Sequence, residues 1–75
     1  MSDVFGRKMR AYRKLKHMTQ IELAEHLGVS VAIVGSLERG TRTPSPQMIR
    51  RLTEVLNVTE AELFGDGEGD SNAMM

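Results

Sequence analysis

The chain has no cysteine, so neither a disulfide nor a thiolate metal site is open to it, a composition that fits a reducing cytoplasm. Its two histidines, His17 and His26, are nine residues apart, and although His26 follows Glu22 by four, a closed zinc site needs about four ligands with a supporting shell. No metal and no cofactor is expected. No run approaches the ~18 apolar residues of a membrane span, and no signal-peptide h-region opens the chain. The expectation is a cytoplasmic protein with no membrane partner. Ser30 and Ser36 have no activating base near them in sequence, so no catalytic residue and no enzyme is expected. Seventy-five residues make one domain, whose core alone would give only ~3 to 5 kcal/mol. A helical bundle with good local caps, or a dimer, is favoured.

Net charge is also missing, since ten basic residues balance ten acidic ones, but the average hides a polarity along the chain. All ten Lys and Arg lie within residues 1–65 against seven acids, giving +3, while Asp66, Glu68 and Asp70 give the remainder −3. The first sixteen residues hold Arg7, Lys8, Arg10, Arg13, Lys14 and Lys16 against Asp3 alone, a local +5. Such a run is either a solvated helix face or a phosphate-facing patch. What adjoins it decides between them.

What adjoins it is Thr19 to Gly40. Thr19 and Glu22 form a capping box that starts a helix. Leu23, Ala24 and Leu27 supply a narrow apolar stripe, and Gly28 stands where a left-handed cap residue ends the helix. Ser30 is the next N-cap, Val34 and Leu37 share a face, and Gly40 closes the second helix. The pattern predicts a helix, a three-residue turn and a helix.

On either side the reading is also helical. Residues 5–16 place Phe5, Met9, Tyr12 and either Leu15 or the stem of Lys16 on successive turns. Met18 should pin the following linker to the core, and His26 should be exposed. Beyond Gly40, Ser45 caps and Pro46 opens a fourth helix bearing Met48, Ile49, Leu52, Val55 and Leu56, with Asn57 as its C-terminal cap. Thr59 and Glu62 repeat the capping box for a short fifth helix carrying Leu63 and Phe64 before Gly65. Residues 66–75 are polar and aperiodic, an expected disordered acidic tail after a domain at 1–65.

Thr19-Gln20, Leu23-Ala24, Gly28-Val29-Ser30, Val34, Leu37-Glu38-Arg39-Gly40 and Pro44-Ser45 together resemble the lambda-repressor-like, Cro-type helix-turn-helix of the XRE family of transcription regulators. The likeness runs from about Phe5 to Phe64. It implies an all-α fold, a compact five-helix lambda-repressor-like DNA-binding domain with a helix-turn-helix. It further implies double-stranded DNA as partner, a recognition helix at 30–39 in the major groove, and a homodimer on a pseudo-palindromic operator. Thr19, Gln20, Arg39, Thr41, Arg42 and Thr43 fall where the family touches the DNA backbone. Arg13 and Glu38 match positions of a structural ion pair. His17 stands where the family usually has glycine, which implies slight strain.

The reading face departs from the family. Val31, Ala32, Ile33, Gly35 and Ser36 stand where Gln, Arg, Ser or Thr are common, and only Ser36 carries a hydrogen-bonding side chain. With Ser30, the candidate DNA-facing set on this helix is Val31, Ala32, Ser36 and Arg39. Two readings stay open. Either specificity comes from thymine methyls, Ser36, Arg39 and DNA deformability, or the apolar face serves a protein partner in an adaptor or antitoxin-like role. Leu63, Phe64 and the apolar end of the fourth helix are the candidates for the dimer contact.

Overall fold

Short capping signals, rather than long periodic runs, divide the chain into its elements. The computed structural model describes residues 3–65 and shows α1 (Asp3–Leu15), α2 (Gln20–Leu27), α3 (Val31–Arg39), α4 (Pro46–Leu56) and α5 (Glu60–Phe64). No strand occurs among the described residues. The tail expected at 66–75 lies outside them.

Two capping boxes form as the sequence predicts. Thr19 Oγ1 accepts from the Glu22 amide at 3.0 Å while Glu22 Oε1 accepts from the Thr19 amide at 2.8 Å. Thr59 and Glu62 repeat the same distances at the start of α5. Ser45 Oγ accepts from the Met48 amide at 3.1 Å, with Pro46 in the first turn of α4. Ser30 departs from expectation. It has the extended backbone of an N-cap, but its side chain makes no capping bond, so α3 starts with its first amides uncapped.

Helix ends use one device four times. His17, Gly28, Gly40 and Asn57 take positive φ, and the amide one residue further closes onto the carbonyl five residues before it. These closing bonds are Met18 to Arg13 and Val29 to Ala24 at 3.1 Å, Thr41 to Ser36 at 3.0 Å, and Val58 to Thr53 at 3.1 Å. Met18, Val29 and Val58 then pack against the core, so each turn also pins its linker. His17 carries the strain expected of it: its φ of 60° places a β-carbon in the left-handed region.

The core joins Phe5 and Met9 of α1, Leu23, Ala24 and Leu27 of α2, Val34 and Leu37 of α3, Leu52 and Leu56 of α4, and Leu63 of α5. Tyr12, Ile33, Met48, Ile49 and Val55 pack half-buried around it. α1 lies against α3 and α5, while α2 lies against α3 and α4. Helix α1 runs slightly earlier than the predicted 5–16, and Leu15 is 70% exposed rather than packed. The turn at His17 carries the chain away before a further apolar residue on that side can be covered.

One packing feature had no apolar signal. A β-carbon on Gly6 would meet the Glu38 carbonyl oxygen at 2.4 Å and that of Leu37 at 2.8 Å, so α1 and α3 touch backbone to backbone there. Alanine favours a helix interior over glycine by ~1 kcal/mol, whereas forcing a methyl group against fixed backbone costs ~1 to 3 kcal/mol. Three backbone atoms under 3.0 Å put the cost at the upper end of that range, ~2 to 3 kcal/mol, so Gly6→Ala is expected to lower the melting temperature by roughly 4 °C or more, read by circular dichroism. His17→Gly should raise it by ~2 to 4 °C, because relief of left-handed strain exceeds the added chain entropy by about half a kcal/mol. Asn57→Gly should gain less, since asparagine tolerates that conformation.

Candidate nucleic-acid interface

Arg13 lies one turn after Met9 on the inner face of α1, where an unpaired cation would be costly to bury. Only 7% of it is exposed. Its Nε donates to Glu38 Oε2 at 2.7 Å, Nη2 to Glu38 Oε1 at 3.2 Å, and Nη1 to the Met18 carbonyl at 2.9 Å. Gln20 Nε2 donates to the same Glu38 Oε1 at 3.0 Å. Among the described residues no buried side-chain nitrogen or oxygen lacks a partner. One carboxylate on α3 thus ties α1 to the first residue of α2, and Arg13 adds the linker before α2. The inward bond of Gln20 was not legible in the sequence, which gave that side chain to phosphate alone.

This fixed corner brings several polar groups to one side. Arg10, Arg13, Thr19, Gln20, Ile21 and Val31 line an open groove of about 540 Å³. Arg10 belonged to the basic run without being assigned a role; its place beside the N-terminus of α2 singles it out. The first amides of α2 have no intrahelical acceptor and a partial positive charge, offset in part by the Glu22 carboxylate that completes the cap.

Ser30 just before α3, and Val31, Ala32 and Arg39 on it, are exposed. Ile33 is turned half into the core, so it leaves the reading face on which the sequence placed it. Gly35 is buried, not open to close approach from outside. Ser36 has another use for its hydroxyl: Oγ donates to the Ile33 carbonyl at 2.9 Å and accepts from Arg42 Nε at 3.2 Å. Thr41 Oγ1 donates to the Ser36 carbonyl at 3.2 Å. Ser36 therefore fastens the loop holding Thr41, Arg42 and Thr43, all exposed, against the end of α3. Its proton is not available to a base edge.

At the other end, Leu63 is fully buried and cannot form a dimer contact. Phe64 is 42% exposed and packs on Phe5, with ring centroids 5.1 Å apart and planes tilted by 35°. Sequence periodicity cannot separate two adjacent apolar residues on a helix this short. No helix among the described residues is long and apolar enough to cross a membrane.

Two short helices joined by Gly28-Val29-Ser30, the second with one face held in the core and the other outward, define a helix-turn-helix domain. The family described as Helix-turn-helix matches residues 9–63, and the chain belongs to the XRE-type branch of helix-turn-helix transcription regulators. It is 47% identical over 62 residues to the HTH-type transcriptional regulator YazB of Bacillus subtilis, covering 83% of this chain and 90% of that one. To the HTH-type transcriptional regulator SinR of Bacillus subtilis it is 37% identical over 64 residues, 84% of this chain and 58% of SinR. It spans about half the length of some other relatives, 45% for SlrR of Bacillus subtilis. Among solved structures it is similar to the restriction-modification controller protein C.AhdI from Aeromonas hydrophila. That match has a TM-score of 0.77 and 35% identity and covers 83% of this chain and 94% of that one. The clp gene regulator ClgR from C. glutamicum gives 0.82 and 28% identity, with 91% and 87% covered.

The corner at Glu38 should govern stability. Removing one partner of a buried pair strands the other and costs ~3 to 5 kcal/mol, a large share of the total for a small domain. Arg13→Ala and Glu38→Ala are each expected to lower the urea midpoint sharply. The double variant should lose much less than the sum, which a double-mutant cycle reads directly.

Proposed function

We propose that the chain is a sequence-specific DNA-binding transcription regulator that acts as a homodimer on a pseudo-palindromic operator. The observation that carries this reading is the alignment of α3's outward residues with anchoring groups at both of its ends. Thr19, Gln20 and Ser30 lie at helix N-termini on one side, and Thr41, Arg42 and Thr43 follow α3 on the other. With α3 in the major groove and α2 crossing the backbone, these groups would meet phosphates. That several relatives are regulators by name supports DNA rather than a protein adaptor role.

The chemistry of the exposed residues divides the labour. Val31 and Ala32 offer methyl groups that suit thymine methyls, but neither supplies the ~1 to 3 kcal/mol of discrimination given by a bidentate hydrogen-bonded pair. Phosphate contacts must then carry much of the affinity, with Arg42 pre-positioned by Ser36. Two copies reading half-sites about one helical turn, ~34 Å, apart would multiply the modest affinity of one. The exposed Phe64, supported by Phe5, and the half-buried Val55 at the end of α4 are the remaining apolar candidates for pairing.

Mobility shift on the DNA upstream of the chain's own coding region tests the reading. A retarded complex at low salt is expected; no shift, with a stable complex formed instead with another protein, would sink it. Arg42→Ala should weaken all duplexes alike and reduce the slope of log K against log salt by roughly 0.9. Val31→Ser should hurt only sites with thymine opposite that residue, and uracil there should mimic the loss in the unmodified chain. Sedimentation should show Phe64→Ala folded but shifted toward monomer; normal dimerisation would remove Phe64 from the contact.

A further inference from the structure

At about 100° per residue, Ala32, Gly35 and Arg39 fall on the face of α3 turned away from Val34 and Leu37. Gly35 is buried all the same. A β-carbon there would lie 3.0 Å from Arg39 Nη1 and 3.9 Å from its Cζ, and nothing else beyond the adjoining residues and local helix backbone comes within 4 Å. The guanidinium of Arg39 is therefore what covers Gly35. It is folded back toward the start of the helix, as helical side chains lean. Four residues of rise amount to about 6 Å, so the charge sits near the middle of α3 and not beyond its end.

Of the two roles the sequence leaves open for Arg39, a phosphate contact or a part in specificity, that position suits the second. Arg13, Arg42 and Arg51 each donate to a protein acceptor, whereas Arg39 makes no hydrogen bond or ion pair among the described residues. Its donors are free. The outward residues one and two turns before it are Gly35 and Ala32, too small to shield it from a groove floor. A planar fork presented mid-helix matches the two acceptors of guanine, O6 and N7, at the major-groove edge.

We propose that Arg39 is a specificity-determining residue that reads guanine in the major groove, and that Gly35 is a positioning residue that leaves room for its guanidinium. This assignment rests on the DNA-binding reading above and supplies the hydrogen-bonding chemistry that Val31, Ala32 and the occupied Ser36 do not.

The test is selection by the full chain from a pool of randomised duplexes, followed by binding measurements on the recovered sequences. Recovered half-sites are expected to share a guanine whose replacement by adenine or 7-deazaguanine weakens binding about tenfold or more. Arg39→Ala removes every donor, so guanine and adenine should bind alike at that position while other preferences stand. Gly35→Ala should lose the same preference yet melt no lower than the parent, because alanine favours the helix and its methyl group displaces only a flexible side-chain end. Guanine preference retained by Arg39→Ala, absent from the selected sites, or accompanied in that variant by a uniform weakening across all sequences would overturn the assignment of Arg39. Preference retained by Gly35→Ala would overturn the role of Gly35. Failure of the parent chain to bind any duplex at low salt would instead overturn the DNA-binding reading, and this assignment with it.

Discussion

The Glu38 carboxylate is the point on which the arrangement of helices depends. It takes three hydrogen bonds, two from Arg13 on α1 and one from Gln20 on α2, while Arg13 also holds the carbonyl of Met18 in the linker. Apolar packing is non-directional and would permit α3 to rotate or slide against its neighbours. A bidentate arginine–carboxylate pair fixes direction as well as distance. Beside it, Gly6 lets α1 approach the backbone of α3, so the corner is set by one charged contact and one close steric contact. The charge on Glu38 is turned inward and neutralised, so the outward face of α3 carries no carboxylate.

With that corner fixed, the domain spends few residues on connections. The left-handed turns at His17, Gly28, Gly40 and Asn57 each end a helix and redirect the chain, and Met18, Val29 and Val58 bury an apolar side chain immediately afterwards. This suits a core that has ten buried apolar residues among those described. The same turn at Gly40 delivers Thr41 and Arg42 back onto Ser36, so the loop expected to meet the backbone is ordered before any partner arrives. Groups already held in place lose less entropy on binding.

Most of the fold was legible because local rules and tertiary packing agree here. Capping boxes at Thr19 and Thr59, the proline at position 46 and the left-handed glycines mark helix ends without any knowledge of neighbours. The pairing of Arg13 with Glu38 came from family likeness, since a separation of 25 residues carries no local signal. What stayed hidden depends on side-chain direction. Ser30 takes a cap's backbone without its hydrogen bond, Ile33 rolls into the core, and Ser36 turns to its own helix and to Arg42. Gly35 looked like a gap in the reading face, whereas it is the space that Arg39 fills. Leu63 and Phe64, adjacent and both apolar, divide between core and surface for reasons that only the packing of α5 on α1 determines.

On the function proposed above, one continuous DNA-facing surface would run across the start of α2, the outward side of α3 and the loop after it, all oriented by the Glu38 corner. The most direct measurement is amide chemical-shift mapping of the isotope-labelled chain titrated with the duplex upstream of its coding region. The expected result is that the largest changes fall on Gln20, Ile21, Val31, Ala32, Arg39, Thr41, Arg42 and Thr43, with Glu54 and Glu60 on α4 and α5 unaffected. Changes centred on α4 and α5, or scattered without reference to α3, would contradict it.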